Sequence, residues 1–370
     1  MSGTDNTLNK HMKALVLTQV GKLEYKEIPK PEPKEGEVLV KVMACGICGS
    51  DIPRAYRDGA HNMPVIIGHE FSGFVESAAE GSDSKWIGKR VGIFPLIPCG
   101  KCVPCRRRQF EMCRNYDYLG SRRNGGFAEY VSVPAKNLIK LPDNVSYEAA
   151  AMLEPMAVAV HAIRNVTRFV SEDEKKDKTV AVIGLGTIGT ILVSFLLEAG
   201  FEKLLVIGNK EFQKNTMEKM EIPSDCYCDS RSESAHDFVM DRTDGHGADI
   251  FFECVGSNET AVVATDSAAP AGSVCFVGNP HSDMTFEKSV YWKILRNQLH
   301  ICGTWNSYFS IDGHDEDDDW NYVQKRLADK KIDPEKLITQ RFGIEDIISG
   351  FELMRDKTED YIKVMAVMKD

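Results

Sequence analysis

The sequence predicts an α/β protein of two domains, one rich in β-strands and the other built on a doubly wound parallel sheet. Its 370 residues exceed what a single compact core usually organises. Short β-branched runs separated by Gly and Pro, at 37–42, 71–76, 90–94 and 130–133, indicate an irregular β-rich domain. From Thr179 onward, apolar strands alternate with helical stretches, a pattern typical of a parallel sheet.

The places where this pattern changes indicate the domain boundaries. Residues 1–11 are polar and patternless, and we interpret them as a vector remnant. A boundary is predicted in the helix that follows Glu154-Pro155. The charged loop 171–178 comes after this helix and precedes the alternating pattern. The acidic run 314–319 is interpreted as a solvated loop, with a cation site as the alternative. We expect a first domain at 12–157, a parallel-sheet domain at 158–304, and a return to the first domain at 305–370.

The composition is that of a folded protein with an acidic surface. Hydrophobic residues make up 43% and charged residues 27%, which is inconsistent with a disordered chain. The 45 basic and 55 acidic residues give a net charge of −10, which disfavours nucleic acid and anionic membranes as partners. The apolar stretch 179–200 approaches the length of a membrane span. Because no secretion signal is evident near the start, we expect a cytoplasmic protein.

Four of the eleven cysteines are spaced closely enough to surround one metal ion. Cys99, Cys102, Cys105 and Cys113 follow the pattern C-x2-C-x2-C-x7-C, which suits a tetrahedral zinc. Since all four ligands would come from the protein, this zinc is expected to be structural. An iron–sulfur cluster is one alternative, and a nucleic-acid-binding module using arginines 106–108 is another. We interpret the cysteines of the second half as structural or incidental, namely Cys226, Cys228, Cys254, Cys275 and Cys302.

A second set of metal-ligating side chains comprises Cys48, His69, Glu70 and Glu154. A thiolate, an imidazole and carboxylates form the ligand set of a catalytic zinc, whose remaining position holds water or substrate. Glycines beside Cys48 and His69 allow the backbone to bend toward the ion. Asp51 is expected to orient His69. Each residue alone is more often structural, so the prediction of an open zinc site depends on their combination.

After the apolar run 179–183, the chain contains a G-x-G-x-x-G motif, Gly184-Leu185-Gly186-Thr187-Ile188-Gly189. A predicted helix follows, which is the strand, turn and helix order of dinucleotide binding. The first glycine allows the tight turn, the second admits a pyrophosphate, and the third permits close packing. Thr187 and Ile188 lie where the helix N–H groups meet the phosphate. This order also argues against a membrane span at 179–200.

The residue that reads the adenosine ribose is expected about 20 residues further on. There the second predicted strand ends in Gly208-Asn209-Lys210, without the Asp or Glu that would accept from the 2′-hydroxyl of NAD. Gly208 leaves room and Lys210 can meet a 2′-phosphate, which favours NADP. The alternative is NAD bound through Asn209, with Lys210 as an ordinary surface residue.

With these motifs in this order, the chain resembles the zinc-containing medium-chain alcohol and polyol dehydrogenases over nearly its whole length past Met12. The resemblance implies a GroES-like catalytic domain, a Rossmann dinucleotide-binding domain, and a homodimer or homotetramer paired through the Rossmann sheets. The chain departs from the family in lacking the acid at Gly208. Within the family it is similar to the branch that oxidises galactitol 1-phosphate, through the stretches 48–54, 58–61, 68–73, 116–123 and 303–306.

The resemblance also implies a mechanism for the open site. Zinc held by Cys48 and His69, with Glu70 and Glu154 as ligands or close neighbours, would bind the substrate hydroxyl and lower its pKa. Ser50 is expected to relay the proton toward solvent. Hydride then passes to NAD or NADP, and the expected reaction converts galactitol 1-phosphate to tagatose 6-phosphate.

A phosphorylated substrate requires fixed positive charge, because guanidinium groups bind phosphate oxygens in a bidentate fork. Arg54, Arg122 and Arg123 are candidates, with surface or interdomain positions as the alternative. His61 is a further candidate contact. Trp305 is expected to wall the substrate cleft, although a buried core position is the alternative.

Two other functions are also consistent with the sequence. A free-polyol dehydrogenase of the sorbitol type, or a threonine dehydrogenase, would share the zinc and differ in the substrate pocket. A non-enzymatic zinc- and dinucleotide-binding regulator would keep the fold without turnover, although the intact ligand set at Cys48, His69 and Glu70 argues against it.

Overall fold

The computed structural model describes residues 10–81, 84–168 and 170–369. Residues 1–9 of the expected vector remnant lie outside the described residues, and His11 begins the first strand. The chain divides into two compact units. The first contains the residues up to Glu154 and those from Tyr308 onward, and the second is Pro155–Ser307. Their β-rich and parallel-sheet architectures confirm the predicted fold class.

In the described residues of the first unit up to Glu154, ten strands form parts of three sheets. Val38, Val40 and Val42 are fully buried in the longest strand, which explains why this β-branched run pairs on both edges. The strands are β1 (His11–Gln19), β2 (Lys22–Pro29), β3 (Glu37–Ile47), β4 (Val65–Ile66), β5 (Glu70–Ala78), β6 (Arg90–Ile93), β7 (Leu96–Ile97), β8 (Asp117–Tyr118), β9 (Tyr130–Pro134) and β10 (Leu138–Lys140). The helices among them are α1 (Asp51–Pro53), which continues as a π-helical turn over Arg54–Asp58, α2 (Val103–Arg106) and α3 (Tyr147–Ala151).

The second unit is a six-stranded parallel sheet flanked by helices. Its elements are α4 (Leu153–Thr167), β11 (Thr179–Ile183), α5 (Thr187–Glu198), β12 (Lys203–Gly208), α6 (Glu211–Lys219), β13 (Tyr227–Asp229), α7 (Ala235–Arg242), β14 (Ala248–Glu253), α8 (Asn258–Asp266), β15 (Ala268–Phe276), α9 (Lys288–Arg296) and β16 (His300–Gly303). The strand order is β13-β12-β11-β14-β15-β16, so the order reverses direction beside β11. Ligands of such sheets bind at the carboxyl ends of the strands at this point.

From Tyr308 onward the chain belongs to the first unit again and adds two helices and two strands among the described residues. These are α10 (Asp319–Ala328), β17 (Ile338–Gly343), α11 (Ile347–Asp356) and β18 (Lys363–Val367). The larger sheet of this unit has the order β10-β6-β5-β3-β18-β17, with β9 also pairing with β3. Because β18 lies beside β3, the C-terminal strand reaches the residues that precede Cys48.

The acidic run 314–319 is only partly the solvated loop that the sequence suggests. Asp318 and Asp319 are buried. Asp318 caps α10 by accepting from the N–H of Asn321 at 2.8 Å, and Asp319 accepts from the N–H of Tyr308 at 2.8 Å. The solvated interpretation is therefore wrong for these two carboxylates, because Asp318 satisfies a backbone donor at the helix start and Asp319 satisfies one in the loop before the helix.

Short 3-10 turns connect several elements, at Ser84–Trp86, Phe110–Met112, Ala135–Asn137, Glu172–Glu174, Ser224–Cys226, Pro334–Leu337 and Ile344–Asp346. The apolar stretch 179–200 divides into β11, a glycine turn and α5. Among the helices of the described ranges, none combines the length and hydrophobicity that a membrane crossing would require.

Candidate metal centres and dinucleotide site

The sulfur atoms of Cys99, Cys102, Cys105 and Cys113 all lie within 4.8 Å of one another in the loop between β7 and β8. The distance from Cys102 Sγ is 3.4 Å to Cys105 Sγ and 3.8 Å to Cys113 Sγ. A tetrahedron with Zn–S bonds of about 2.3 Å would separate its sulfurs by about 3.8 Å. The geometry of the four thiols therefore fits one zinc ion.

Backbone N–H groups support thiolates in this cluster. The N–H of Cys99 donates to Cys113 Sγ at 3.2 Å. Hydrogen bonds from the backbone at Cys105 and Arg114 lower the pKa of Cys102 to about 6. The backbone thus favours the thiolate, which is the form that binds metal, at Cys99 and Cys102, whereas burial raises the pKa of Cys105 and Cys113.

An apolar layer and an ion pair hold this cysteine loop in the first unit. Phe110 packs with Cys105 and Cys113, and Tyr308 and Ile311 contact the same cluster. Arg108 Nε lies 3.0 Å from Asp312 Oδ2. One of the three arginines that raised a nucleic-acid interpretation is thus paired within the protein.

The second metal-ligating cluster brings together Cys48, His69 and Glu70, whose ligand atoms lie within 4.8 Å of one another. Cys48 follows β3, and Glu70 begins β5, with Gly46 and Glu70 paired between the two strands. Gly68 has a φ of +97°, and a Cβ there would lie 2.5 Å from the ring of Phe127. Only glycine fits this turn, which presents His69 to the cluster.

Asp51 and Cys48 give the imidazole of His69 a strongly anionic environment. Burial lowers the pKa of His69, but the charges of Asp51 and Cys48 raise it well above its usual value. Asp51 Oδ1 lies 3.5 Å from His69 Nδ1, which has no hydrogen-bond partner among the described atoms. A site that favours an extra positive charge between a thiolate and an imidazole fits a bound divalent metal.

Asp51 is itself fully buried and connects three neighbours. It accepts from the N–H of Cys48 at 3.1 Å and pairs with the guanidinium of Arg54. Burial raises the pKa of Asp51, but His69 and Arg54 outweigh it and lower the pKa overall. Asp51 therefore stays ionised, and Ser50 Oγ donates to Cys48 Sγ at 3.3 Å beside it.

Glu154 lies apart from the three-residue cluster, at the start of α4. Burial raises its pKa to about 7, with Glu70 adding to the effect. The hydroxyl of Tyr118 donates to Glu154 Oε1 at 3.3 Å, and its ring centroid lies 5.7 Å from that of His69. No role for Tyr118 could be predicted from the sequence, since a single tyrosine carries no spacing signal.

Lys363 of β18 is a further residue of this site that the sequence did not reveal. It is only 1% exposed and forms an ion pair with Glu70, while its Nζ donates to the carbonyl of Ile47 at 3.0 Å. Burial lowers the pKa of Lys363, but Glu70 more than compensates and raises it. A Cβ at Gly46 would collide with both partners. A buried positive charge thus balances the carboxylate of Glu70.

The candidate phosphate ligands have different surroundings. Arg122 stacks on Tyr116, with 4.4 Å between guanidinium carbon and ring centroid, and lies 3.4 Å from Nε2 of His61. Arg123 instead pairs with Glu37 at 2.6 Å. Trp305, in the second unit, is 53% exposed, so the alternative of a buried core position is wrong.

In the second unit, the glycine motif forms the turn between β11 and α5. Gly184 has a φ of +95°, and a Cβ there would lie 2.5 Å from Val255. A Cβ at Gly189 would collide with the carbonyl of Gly184. At Gly186, which caps α5, the space is open. The turn thus leaves room for a ligand in front of the first N–H groups of the helix, at Thr187 and Ile188.

At the end of β12, the structure does not show the open space that was expected beside Gly208. A Cβ there would lie 2.7 Å from Gln213 Oε1 and 2.7 Å from the hydroxyl of Tyr227. Gln213 accepts from the N–H of Asn209 at 2.9 Å, and Tyr227 donates to the carbonyl of Lys210 at 3.0 Å. The expected open space at Gly208 is therefore filled by two anchored side chains.

An acid that sequence spacing did not reveal lies opposite Gly208 on the neighbouring strand. Asp229 of β13 is in register with Gly208. Arg231 holds it through a two-pronged pair, with Nε at 2.9 Å, and lowers its pKa to about 2. The Lys210 ammonium lies 5.5 Å from the ring of Phe212. The carboxyl ends of β12 and β13 thus bring together one acid, Asp229, and two cations, Lys210 and Arg231.

Two known protein families each match one part of this chain. Residues 34–143 match the alcohol dehydrogenase GroES-like domain, and residues 147–367 match the glucose dehydrogenase C-terminus. The galactitol 1-phosphate 5-dehydrogenase of Escherichia coli K12 is 32% identical over 90% of this chain and 94% of its own. The L-threonine 3-dehydrogenase of Bacillus subtilis is 32% identical over 89% and 91%.

Solved structures agree with the sequence comparison. Galactitol-1-phosphate dehydrogenase from Escherichia coli superposes with a TM-score of 0.86 at 29% identity, over 96% of this chain and all of that one. A Sinorhizobium meliloti 1021 protein, described as a zinc-binding dehydrogenase and bound to NADP, gives 0.85 at 26% identity over 96% and 99%. An Escherichia coli CFT073 alcohol dehydrogenase complexed with NADH gives 0.82 at 27% over 97% and 99%.

Proposed function

Because the chain belongs to the family of zinc-containing medium-chain alcohol dehydrogenases, we propose that it oxidises a secondary alcohol of a polyol or polyol phosphate with NAD(P). The observation that carries this proposal is the convergence of Cys48, His69 and Glu70 within 4.8 Å. A thiolate, an imidazole and a carboxylate leave one position of a tetrahedral ion for the substrate hydroxyl. Four thiolates elsewhere in the chain would hold a second, structural zinc.

The residues around this cluster suit the removal of a proton from an alcohol. A bound zinc would supply a Lewis acid that lowers the pKa of the alcohol. Asp51 holds His69 from the Nδ1 side, which leaves Nε2 for the metal. Ser50 is the candidate to carry the proton away, since its hydroxyl lies beside Cys48.

Of the two glutamates, we assign Glu70 as the metal ligand and Glu154 as its neighbour. Glu70 shares the cluster with Cys48 and His69, and Lys363 balances its charge. Glu154 is bound by Tyr118 and has a pKa of about 7. A carboxyl group with that pKa can exchange a proton near neutral pH, beside the reacting alcohol.

For the substrate, we favour galactitol 1-phosphate, which would be converted to tagatose 6-phosphate. Similarity to the galactitol 1-phosphate 5-dehydrogenase supports this choice. Arg122, with His61 at 3.4 Å, is the candidate phosphate ligand. Arg123 is engaged by Glu37 and Arg54 by Asp51, so both are weaker candidates.

For the cofactor, we favour NADP over NAD. Lys210 follows β12, whose last residue is Gly208, and its ammonium can meet a 2′-phosphate. Arg231 is the weaker candidate, because Asp229 engages it. The glycine turn at 184–189 would hold the pyrophosphate.

For the assembly, we propose a homodimer or homotetramer paired through the second unit. The strand β16 is at the edge of its sheet. Exposed apolar side chains lie on it and on α9, namely Tyr291, Trp292, Leu295 and Ile301. An unpaired edge beside exposed apolar side chains favours association.

We also propose that the first unit is the catalytic domain and the second the dinucleotide-binding domain.

The test compares galactitol 1-phosphate, galactitol, sorbitol and threonine as substrates, each with NAD and NADP. We expect the phosphorylated substrate to have the highest kcat/KM. Arg122→Ala should reduce it by about tenfold to a hundredfold, since truncating a charged hydrogen-bonding group costs about 1.5–3 kcal/mol. Arg123→Ala is the matched control and should change it little. Equal efficiency with galactitol and its phosphate would leave a general polyol dehydrogenase, and a preference for threonine would contradict the polyol assignment.

A further inference from the structure

Two cysteines that the proposed reaction does not use face each other in the second unit. Cys275 of β15 and Cys302 of β16 are partners in the register of these parallel strands. Directly paired residues of neighbouring strands have their side chains on the same face of the sheet, with Cα atoms about 5 Å apart. Disulfides form between Cα atoms about 4.4–6.8 Å apart. The backbone therefore permits a bond between the two sulfurs.

Both side chains point to the face covered by α4. Cys275 Sγ lies 3.9 Å from the carbonyl of Ala162, in the middle of that helix. Cys302 lines a cavity of about 540 Å³ together with Asn165 and Arg168 at the end of the same helix. Cys275 is fully buried, whereas Cys302 is partly exposed. A small solute can thus reach Cys302 from the cavity and meets Cys275 only behind it.

The two thiols divide the proton unequally. The neighbouring Cys302 and burial raise the pKa of Cys275, whereas Cys275 and the charge of Arg168 outweigh burial and lower the pKa of Cys302. The thiolate is the nucleophilic form of cysteine. Cys302 therefore has the properties of the attacking sulfur, and Cys275 holds the proton beside it.

We propose that Cys302 and Cys275 form a peroxide-reactive dithiol, in which a hydroperoxide that enters the cavity converts the pair to a disulfide. The Cys302 thiolate attacks the O–O bond, forming a sulfenic acid and, after protonation, one water from hydrogen peroxide. The Cys275 sulfur then bonds to the Cys302 sulfur, and the Cys275 proton leaves with the hydroxyl as a second water. Peroxide gains the two electrons that the two thiols lose.

The bond would join the edge strand β16 to β15 and close the segment 276–301, which contains α9. No metal ligand belongs to this segment among those proposed above. The dithiol is thus distinct from the zinc thiolates, and its oxidation can be measured while both metal sites stay loaded. Cys226 provides an internal comparison, because it is also partly exposed but burial raises its pKa.

The experiment treats the zinc-loaded protein with limiting hydrogen peroxide, blocks remaining thiols with N-ethylmaleimide, and identifies the peptides by mass spectrometry. We expect a peptide pair joined through Cys275 and Cys302, two hydrogens lighter than the reduced pair. Cys302 should also lose its reactivity faster than Cys226, since a lower pKa gives a larger thiolate fraction. Reduction with dithiothreitol should restore both thiols.

Two variants distinguish a dithiol from a single oxidisable thiol. Cys275→Ser should leave Cys302 as a sulfenic acid that dimedone traps, and Cys302→Ser should leave Cys275 reduced. The wild-type peptide pattern is decisive even if the buried Cys275→Ser variant fails to fold. The proposal is overturned if Cys302 is oxidised without joining Cys275, or if it is as slow as Cys226.

Discussion

The two metal-ligating clusters of the first unit differ in how they are built. The cysteine loop takes its four ligands from 15 consecutive positions, 99–113, and needs little beyond its own backbone N–H groups. The open cluster takes Cys48 from the end of β3 and His69 with Glu70 from the start of β5. Distant residues then adjust its charge, above all Asp51 and Lys363. A closed site stabilises a loop through its own ligands. An open site also needs neighbouring charged residues that set the charge of its ligands.

Removing one ligand from each cluster should produce the largest difference between the two clusters. His69→Ala should lower kcat by about a thousandfold or more, because the metal contributes several kcal/mol at about 1.4 kcal/mol per factor of ten. Its thermal unfolding should change little. Cys102→Ala should instead lower the unfolding temperature and the yield of folded protein, because the loop loses its metal. Substantial turnover by His69→Ala would refute the catalytic role of the open cluster.

The next largest effect is expected from removing Lys363, whose buried ammonium pairs with Glu70 of the open cluster. Lys363→Met leaves the carboxylate of Glu70 buried without its partner, which costs about 3–5 kcal/mol. The free energy of unfolding in metal-free protein measures this loss, and the double variant Lys363→Met, Glu70→Gln should recover most of it. Lys369→Met, which removes an exposed pair with Glu345 just beyond the other end of β18, is the control and should have almost no effect. Equal effects of the two lysine variants would contradict a special role for Lys363.

A smaller effect should appear in the pH dependence of stability. Glu154 has a pKa of about 7 in the folded protein against 4.5 for an ordinary glutamate. The folded state therefore binds this proton more tightly, so its contribution is complete below about pH 4.5 and is lost as the pH rises to about 7. At about 1.4 kcal/mol per pKa unit, the loss amounts to roughly 3 kcal/mol.

Glu154→Gln in metal-free protein should remove this slope, while Glu148→Gln on the neighbouring helix α3 should keep it. Denaturant titrations at several pH values between 4.5 and 7.5 measure both variants. A slope that Glu154→Gln leaves unchanged would mean that Glu154 is ionised throughout this range.

The same contrast explains what the sequence could predict. The cysteine loop and the glycine turn depend on residues close in sequence, so their spacing alone identified Cys99 to Cys113 and Gly184 to Gly189. Lys363 contacts the carbonyl of Ile47 across 316 positions, and no local pattern marks such a pair. Tyr118 and Asp229 were missed for the same reason, since each acquires its position through another strand.

Other expectations failed where burial decides the outcome. The glycine at position 208 predicted open space beside the backbone. Side chains from helix α6 and strand β13, Gln213 and Tyr227, fill that space. The acidic run 314–319 looks uniformly solvated, although Asp318 and Asp319 face inward at the start of α10. Charge and residue type alone do not reveal which carboxylates cap a helix.

The central claim, that one metal is structural and the other catalytic, is tested most directly by metal analysis during stepwise chelation. Fresh protein should contain two zinc ions per chain. Mild chelation should first remove one ion together with all activity, while the far-ultraviolet circular dichroism stays unchanged, and added zinc should restore turnover. Stronger chelation should remove the second ion and unfold the cysteine loop. A single zinc per chain in fully active protein, or full activity after the first ion has left, would contradict the claim.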